Sequence, residues 1–385
     1  MSVTAPQGFV AAGVVAGLKS TGKKDVAVVV NRGPRRVGAA VFTSNRAKAN
    51  PVLWSQDVVA DGTVAAVVLN SGGANCFTGD FGFETSRLTA QRAAELLEVD
   101  AHDVVVCSTG LIGTGDEDFR QRVLHGVSEA TAQLSADGGR AAAEAIMTTD
   151  TVAKTAVVQG AGWSIGGMAK GAGMLAPGLA TMLVVITTDA VLEPEQAAEA
   201  LRAATGVTFD RLDSDGCMST NDQVTLMASG ASGVVPDSDE FVAALRELSA
   251  DLAGQLQRDA EGASHDITIE VRGAASEPDA VVVGRSVARN NLFKAAIFGN
   301  DPNWGRVLAA IGTTDAEFDP YNVDVVMNGV RVCTAGGPDR PREEVDLTPR
   351  ATHVIIDLLV GEHTATILTN DLTHDYVHEN SAYSS

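Results

Sequence analysis

Thr181 is the residue on which chemistry can be built, because of what stands on either side of it. The stretch "WSIGGMAKGAGMLAPGLATMLVVITTD", from Trp163 to Asp189, holds Gly166, Gly167, Gly171, Gly173, Pro177 and Gly178 before an apolar run that begins at Thr181. So many glycines disfavour a helix or strand interior, so the first half is expected as a loop and the second as a strand. A side chain at the junction is held by the rigid element. If the Ala180–Thr181 peptide bond breaks, Thr181 gains an α-amine with a pKa near ~7.7–8.0, partly neutral at physiological pH. That amine can take the proton of the hydroxyl on the same residue, uniting nucleophile and base without a histidine. Small side chains around the bond leave the hydroxyl room to approach the Ala180 carbonyl. An Ala-Thr pair alone has almost no specificity, and a threonine starting a strand is an ordinary β-branched residue in a favourable place.

Acyl transfer also needs donors for the oxyanion that develops on the attacked carbonyl. In "VVVCSTGLIGTG" a strand ends near Cys107 and a turn follows, so the Thr109 hydroxyl and the Gly110 N–H can point at one oxygen. Read from its residues alone, the same segment is a glycine turn after a strand. Lys170, in the glycine-rich stretch, can pair with a substrate carboxylate or lower the pKa of the Thr181 amine by like-charge repulsion; a solvated loop lysine is the equal alternative. Thr148 and Thr149 in "IMTTDT" suit cap or turn duty. Glu261, after a long helix, reads as an exposed carboxylate. Asn380 and Ser385 stand in the tail "HENSAYSS", a segment that ordinarily frays.

The elements that must position these residues alternate between valine-rich runs and helical patterns, the signature of an α/β protein. Strands are expected at "DVAVVVN" from Asp25, "VGAAVFT" from Val37, "TVAAVVLN" from Thr63, "DVVVCS" from Asp103 and "TMLVVITTD" from Thr181. Further strands are expected at "HDITIEV" from His265, "YNVDVVMNGVRV" from Tyr321 and "EHTATILT" from Glu362. Helices are expected from Glu84, Glu117 and Glu193, and from Ser238 to Arg258. Aromatics are only 4% of the chain, so the interior packs on small aliphatic side chains, which suits closely layered sheets and helices.

Composition sets the outer bounds. The formal net charge of -21 gives the chain no electrostatic reason to approach nucleic acid or an anionic membrane surface. No apolar run approaches the roughly 20 residues that span a bilayer. Cys76, Cys107, Cys217 and Cys333 are dispersed, without a C-x-x-C pair, and fit reduced thiols in a cytoplasmic protein. "GLKSTGKK" from Gly17 nearly matches a P-loop, but Lys24 replaces the hydroxyl that magnesium requires and the run after it reads as a strand. "KGAGMLAPG" lacks the third glycine of a dinucleotide fingerprint. "GWSIG" at Gly162 has the letters of a lipase elbow without a strong preceding strand. His374 and His378 lack a third ligand, so they read as a surface pair. No cofactor and no metal are expected.

Five segments together resemble one family over essentially the whole chain. They are "NSGGANCFTG" from Asn70, "STGLIG" from Ser108, "MTTDT" from Met147, "GGMAKGAGMLAPGLATML" from Gly166 and "GNDPNWGRVLAAIG" from Gly299. The family is the ornithine acetyltransferases, also called bifunctional glutamate N-acetyltransferases. The resemblance implies autoproteolysis between Ala180 and Thr181, giving an α chain, residues 1–180, and a β chain, residues 181–385, commonly in an α2β2 assembly. It implies Thr181 as nucleophile and Thr109 with Gly110 as oxyanion hole. Implied substrate contacts are Thr148, Lys170, Thr181, Glu261, Asn380 and Ser385, the last two requiring the tail to fold back. The implied fold is an α/β layered αββα-type sandwich resembling N-terminal-nucleophile hydrolases with different connectivity, plus a smaller C-terminal α/β region. The implied reaction is ping-pong acetyl transfer from N-acetylornithine to glutamate, yielding ornithine and N-acetylglutamate, with acetyl-CoA a donor for some members. An N-terminal-nucleophile aminopeptidase or amidase, and a non-catalytic binding relative, are the alternatives.

Overall fold

In the computed structural model, which describes residues 2–176 and 182–382, the strands form three sheets. The first has the order β1–β2–β4–β5, built from Phe9–Val14 (β1), Val26–Asn31 (β2), Ala66–Ser71 (β4) and Val104–Thr109 (β5). β2, β4 and β5 are buried along their whole length, which is why they read as unbroken valine runs and not as alternating patterns. β4 and β5 run parallel, as a crossover through helix α2 (Gly79–Leu97) requires.

The second sheet has the order β3–β9–β8–β7–β6. Its strands are Val37–Phe42 (β3), Lys154–Gln159 (β6), Ser164–Lys170 (β7), Leu183–Thr188 (β8) and Gln223–Ala228 (β9). Met168, Leu183, Val185 and Met227 of this sheet share one core with the valines of the first. The alternate residues Ile165, Val184, Ile186 and Leu226 pack instead against helices α5 (Pro194–Thr205) and α6 (Ser238–Arg258). α2 and α3 (Glu117–Ala132) cover the first sheet, so the layers run helix, sheet, sheet, helix. Helices α1 (Asn50–Val58) and α4 (Gly139–Ala145) flank the sandwich.

The third sheet lies wholly in the C-terminal part of the chain, in the order β13–β12–β11–β14–β10–β15. It comprises Asp266–Ala274 (β10), Asp324–Met327 (β11), Val330–Thr334 (β12), Gly337–Pro338 (β13), Ala351–Asp357 (β14) and His363–Asn370 (β15). Helix α7 (Glu277–Ala288) packs on β10 and β15, with α8 (Asn291–Phe298) and α9 (Trp304–Ile311) beside it. The expected α/β class, sandwich and C-terminal region are all present.

The glycine-rich stretch is a correction. Ser164–Lys170, expected as loop, is the fully buried strand β7, paired on both sides by β6 and β8. Its glycines are there because both faces are crowded. A Cβ on Gly166 would lie 2.3 Å from the Ser2 carbonyl oxygen, and one on Gly167 would lie 2.9 Å from Leu252 of α6. The strand expected from Thr181 begins at Leu183; Ala180, Thr181 and Ser385 lie outside the described residues. As far as Ala382 the tail does not fray as its composition suggests, since His374–Ala382 forms helix α10.

Candidate active site

β5 and β7 belong to different sheets, and their C-terminal ends meet. Thr109 ends β5 and Lys170 ends β7, both side chains buried, and the Lys170 Nζ donates to Thr109 Oγ1 over 3.1 Å. A hydroxyl that accepts from an ammonium keeps its own hydrogen to donate elsewhere. The next residue, Gly110, has φ +129, and a Cβ there would sit 2.6 Å from the Gly73 nitrogen, so only glycine lets the chain turn at this point. Thr109 itself is fixed through its carbonyl, which accepts the Gly72 and Gly73 N–H groups at 2.9 and 3.0 Å.

Lys170 is therefore no solvated loop lysine. Burial lowers its pKa, and the charge of buried Asp150 opposes that shift. For Asp150, burial pushes the carboxyl up, but Lys170, Lys154 and the Gly171 N–H outweigh it and hold the carboxyl below its usual range. Asp150 Oδ1 accepts from Lys154 Nζ at 2.6 Å and from the Gly171 N–H at 2.7 Å, while Oδ2 accepts the Thr148 N–H at 2.9 Å. One carboxylate thus fixes both Thr148 and the residue after Lys170. Lys154 also reaches Asp259 at 2.5 Å, which closes a buried ion network at the end of α6.

Glu261 follows α6 and is anchored by its N–H on the Ala172 carbonyl at 3.0 Å. Its carboxylate is half-buried and accepts from Asn380 Nδ2 of α10 at 2.9 Å, so the tail does fold back. Thr109, Gly110, Thr148, Lys170, Glu261 and Asn380 all line one cavity of about 230 Å³. Residues as far apart in sequence as Thr109 and Asn380 are thereby brought together. A larger open depression of about 730 Å³ lies elsewhere, between Arg211, Glu277 and Arg285, and shares none of these residues.

Sequence reasoning missed three acids. Asp150 is the hub just described, with only its place in "TTDT" as a signal. Asp215 accepts the Met174 N–H at 2.7 Å and the Tyr376 hydroxyl at 3.4 Å, and burial pushes its carboxyl up. Asp222, at the start of "DQVTLMA", accepts the Met182 N–H at 3.1 Å. The near-P-loop is explained by a fourth acid. Asp25 fills the place of a phosphate, its carboxylate accepting the N–H groups of Ala16 and Leu18 at 2.6 Å each and of Lys19 at 3.1 Å. Among the described residues no three His, Cys, Asp or Glu side chains converge as a metal ion requires, and no helix is long and apolar enough to cross a membrane.

The model of the ArgJ family matches residues 10–385. An arginine biosynthesis bifunctional protein ArgJ from Streptomyces coelicolor is 62% identical over 385 residues, covering 100% of both chains. The protein so named from Mycobacterium leprae is 51% identical over 391 residues, covering 100% of this chain and 96% of its own. A crystal structure of ornithine acetyltransferase complexed with ornithine, from Mycobacterium tuberculosis, is 47% identical with a TM-score of 0.45; it covers 47% of this chain and 96% of its own.

Proposed function

The chain belongs to the ArgJ family, and on that premise we propose how its cavity works. It is an acyltransferase of arginine biosynthesis, an ornithine acetyltransferase that moves the acetyl group of N2-acetylornithine to glutamate. The chain cuts itself between Ala180 and Thr181, and Thr181 is the nucleophile. Its hydroxyl attacks the acetyl carbonyl and passes its proton to the freed α-amine. The oxyanion takes hydrogen bonds from the Thr109 hydroxyl and the Gly110 N–H. Ornithine leaves, protonated by that amine, and glutamate attacks the acetyl-threonine ester to give N-acetylglutamate.

The observation that carries this reading is the single cavity shared by Thr109, Gly110, Thr148, Lys170, Glu261 and Asn380. Within it the roles divide by charge. Lys170 places a positive charge beside Thr109, where it favours the oxyanion and depresses the pKa of a nearby amine. Glu261, steadied by Asn380, offers a carboxylate to a substrate ammonium. Thr148 supplies a polar wall, and Ser385 completes the contact set from the tail.

A cut after Ala180 leaves the two chains sharing a sheet. β7 belongs to residues 1–180 and β8 to residues 181–385, yet they pair in register from Ile165↔Thr188 to Lys170↔Leu183. This ladder supports α and β chains that stay associated after the cut; an α2β2 assembly and a cytoplasmic setting belong to the same reading through the family resemblance alone. Product analysis tests the reaction class. With N-acetylornithine and glutamate, N-acetylglutamate and ornithine are expected in equal amounts. Free acetate as the main product in the presence of glutamate would instead favour an amidase.

A further inference from the structure

We propose that Asp222 is the acid that protonates the departing amide nitrogen when the Ala180–Thr181 bond breaks, an inference that rests on self-cleavage at that bond.

Asp222 is fully buried at the start of β9. Its Oδ1 accepts the N–H of Met182, the amide that joins Met182 to Thr181, at 3.1 Å. Its Oδ2 is also buried and has no hydrogen-bond partner among the described residues. The other buried aspartates near the sandwich are built differently. Asp25 accepts three backbone N–H groups, and Asp189 accepts the Gln7 N–H, the Ser164 N–H and the Ser164 hydroxyl. Those carboxylates are solvated by the protein and serve as structural anchors. Asp222 has the Met182 bond, support from the Ser219 side chain and no ion pair among the described residues.

A buried carboxylate with one oxygen left unpartnered is costly as an anion, whereas a carboxylic acid with a free O–H is a proton donor in waiting. Burial pushes the Asp222 carboxyl well above its usual range, and the Met182 N–H, the Ser219 side chain and the Lys170 charge offset only part of that. The group is also rigidly placed. The Asp222 carbonyl accepts the Thr43 N–H at 3.0 Å, and the neighbouring Asn221 donates to the carbonyls of Ala74 at 2.6 Å and Ser108 at 2.9 Å. Asp222 is thereby tied to the strand that ends in Thr109.

The step balances as follows. The Thr181 hydroxyl oxygen bonds to the Ala180 carbonyl carbon, and the carbon–nitrogen bond breaks. Asp222 gives its proton to the nitrogen, and the hydroxyl proton returns to the Asp222 carboxylate. Water then cleaves the resulting ester, leaving an Ala180 carboxylate and a Thr181 hydroxyl with a free amine.

The test is cleavage of freshly synthesised full-length chains carrying Asp222→Asn or Asp222→Glu. Asparagine keeps the shape and the acceptor for Met182 but has no acid proton. A folded Asp222→Asn chain is expected to cut roughly a hundredfold more slowly, the lower end for a lost general acid, with part of the rate restored by Asp222→Glu. Asp222→Asn cutting as fast as the unaltered chain overturns the proposal. Difference infrared spectroscopy at neutral pH between uncut Thr181→Ala chains with and without Asp222→Asn provides a second readout. A protonated carboxyl stretch that disappears with Asp222→Asn supports the acid, the comparison being needed because burial also raises Asp213 and Asp215; the absence of such a band overturns it. An unaltered chain that never cuts would instead sink the self-cleavage reading itself.

Discussion

The Lys170 Nζ and the Thr109 Oγ1, 61 positions apart in sequence, lie 3.1 Å from each other where the ends of two sheets converge. The ammonium occupies a lone pair of the hydroxyl and polarises its O–H toward whatever sits in the cavity. Because Lys170 is itself buried, it needs Asp150 behind it, so the Thr109 hydroxyl, the cation and its counter-charge form one chain of dependence.

Thr109→Val removes the hydroxyl while keeping the shape of the buried side chain. It is expected to lower kcat by about 10²–10³, the cost of one lost oxyanion donor, or about 2.7–4 kcal/mol. Thr109→Ser retains the donor and keeps most of the rate. Steady-state kinetics on both variants checks this, and an unchanged kcat in Thr109→Val rejects the assignment.

Lys170→Met strips Asp150 of a buried counter-charge. Asp150 keeps its ion pair with Lys154, so the loss is partial, and chemical denaturation is expected to detect it as a lower midpoint. Activity is expected to fall as well. A variant as stable as the parent means that Asp150 is satisfied by Lys154 and Gly171 alone.

Thr181→Ala is expected to give one uncut chain of 39.7 kDa with no transfer activity. Intact-mass measurement reads the first outcome and product analysis the second. An uncut variant with full activity contradicts Thr181 as nucleophile.

Asp222 carries a stability signature separate from its rate effect. Its carboxyl is raised in the folded state, so above about pH 4, where an unfolded aspartate ionises, the folded chain still holds the proton. The folded state then binds more protons than the unfolded one, and stability falls as pH rises through that window. In the uncut Thr181→Ala background, Asp222→Asn is expected to remove this contribution and to be the more stable chain at neutral pH. Urea denaturation at several pH values, compared between the two chains, decides it; parallel curves would show that Asp222 does not titrate in this range.

Asn380→Ala removes the hydrogen bond to Glu261 from the exposed face of α10. The loss of one such bond is worth about 0.5–1.5 kcal/mol, so KM is expected to rise roughly two- to tenfold with kcat little changed. An equal fall in kcat would place Asn380 in the transition state and not in binding.

Much of this molecule is written locally. The valine runs of β2, β4, β5 and β8 declare themselves because both their faces are buried, and α6 begins and ends where its pattern and its Asp237 cap dictate. The motifs around Thr109, Thr148 and Lys170 were legible as family signatures, as was the junction at Thr181. What the chain could not announce is what its side chains meet. The glycines of β7 look like loop until Ser2 and α6 close on them. Asn380 looks frayed until α10 brings it to Glu261. Asp150, Asp215 and Asp222 are ordinary acidic letters until burial removes their water and leaves each dependent on particular partners. Local periodicity is set by the backbone's own geometry, so sequence fixes the elements. Charge, protonation and reach depend on desolvation and on neighbours distant in sequence, and these exist only once the sheets have packed.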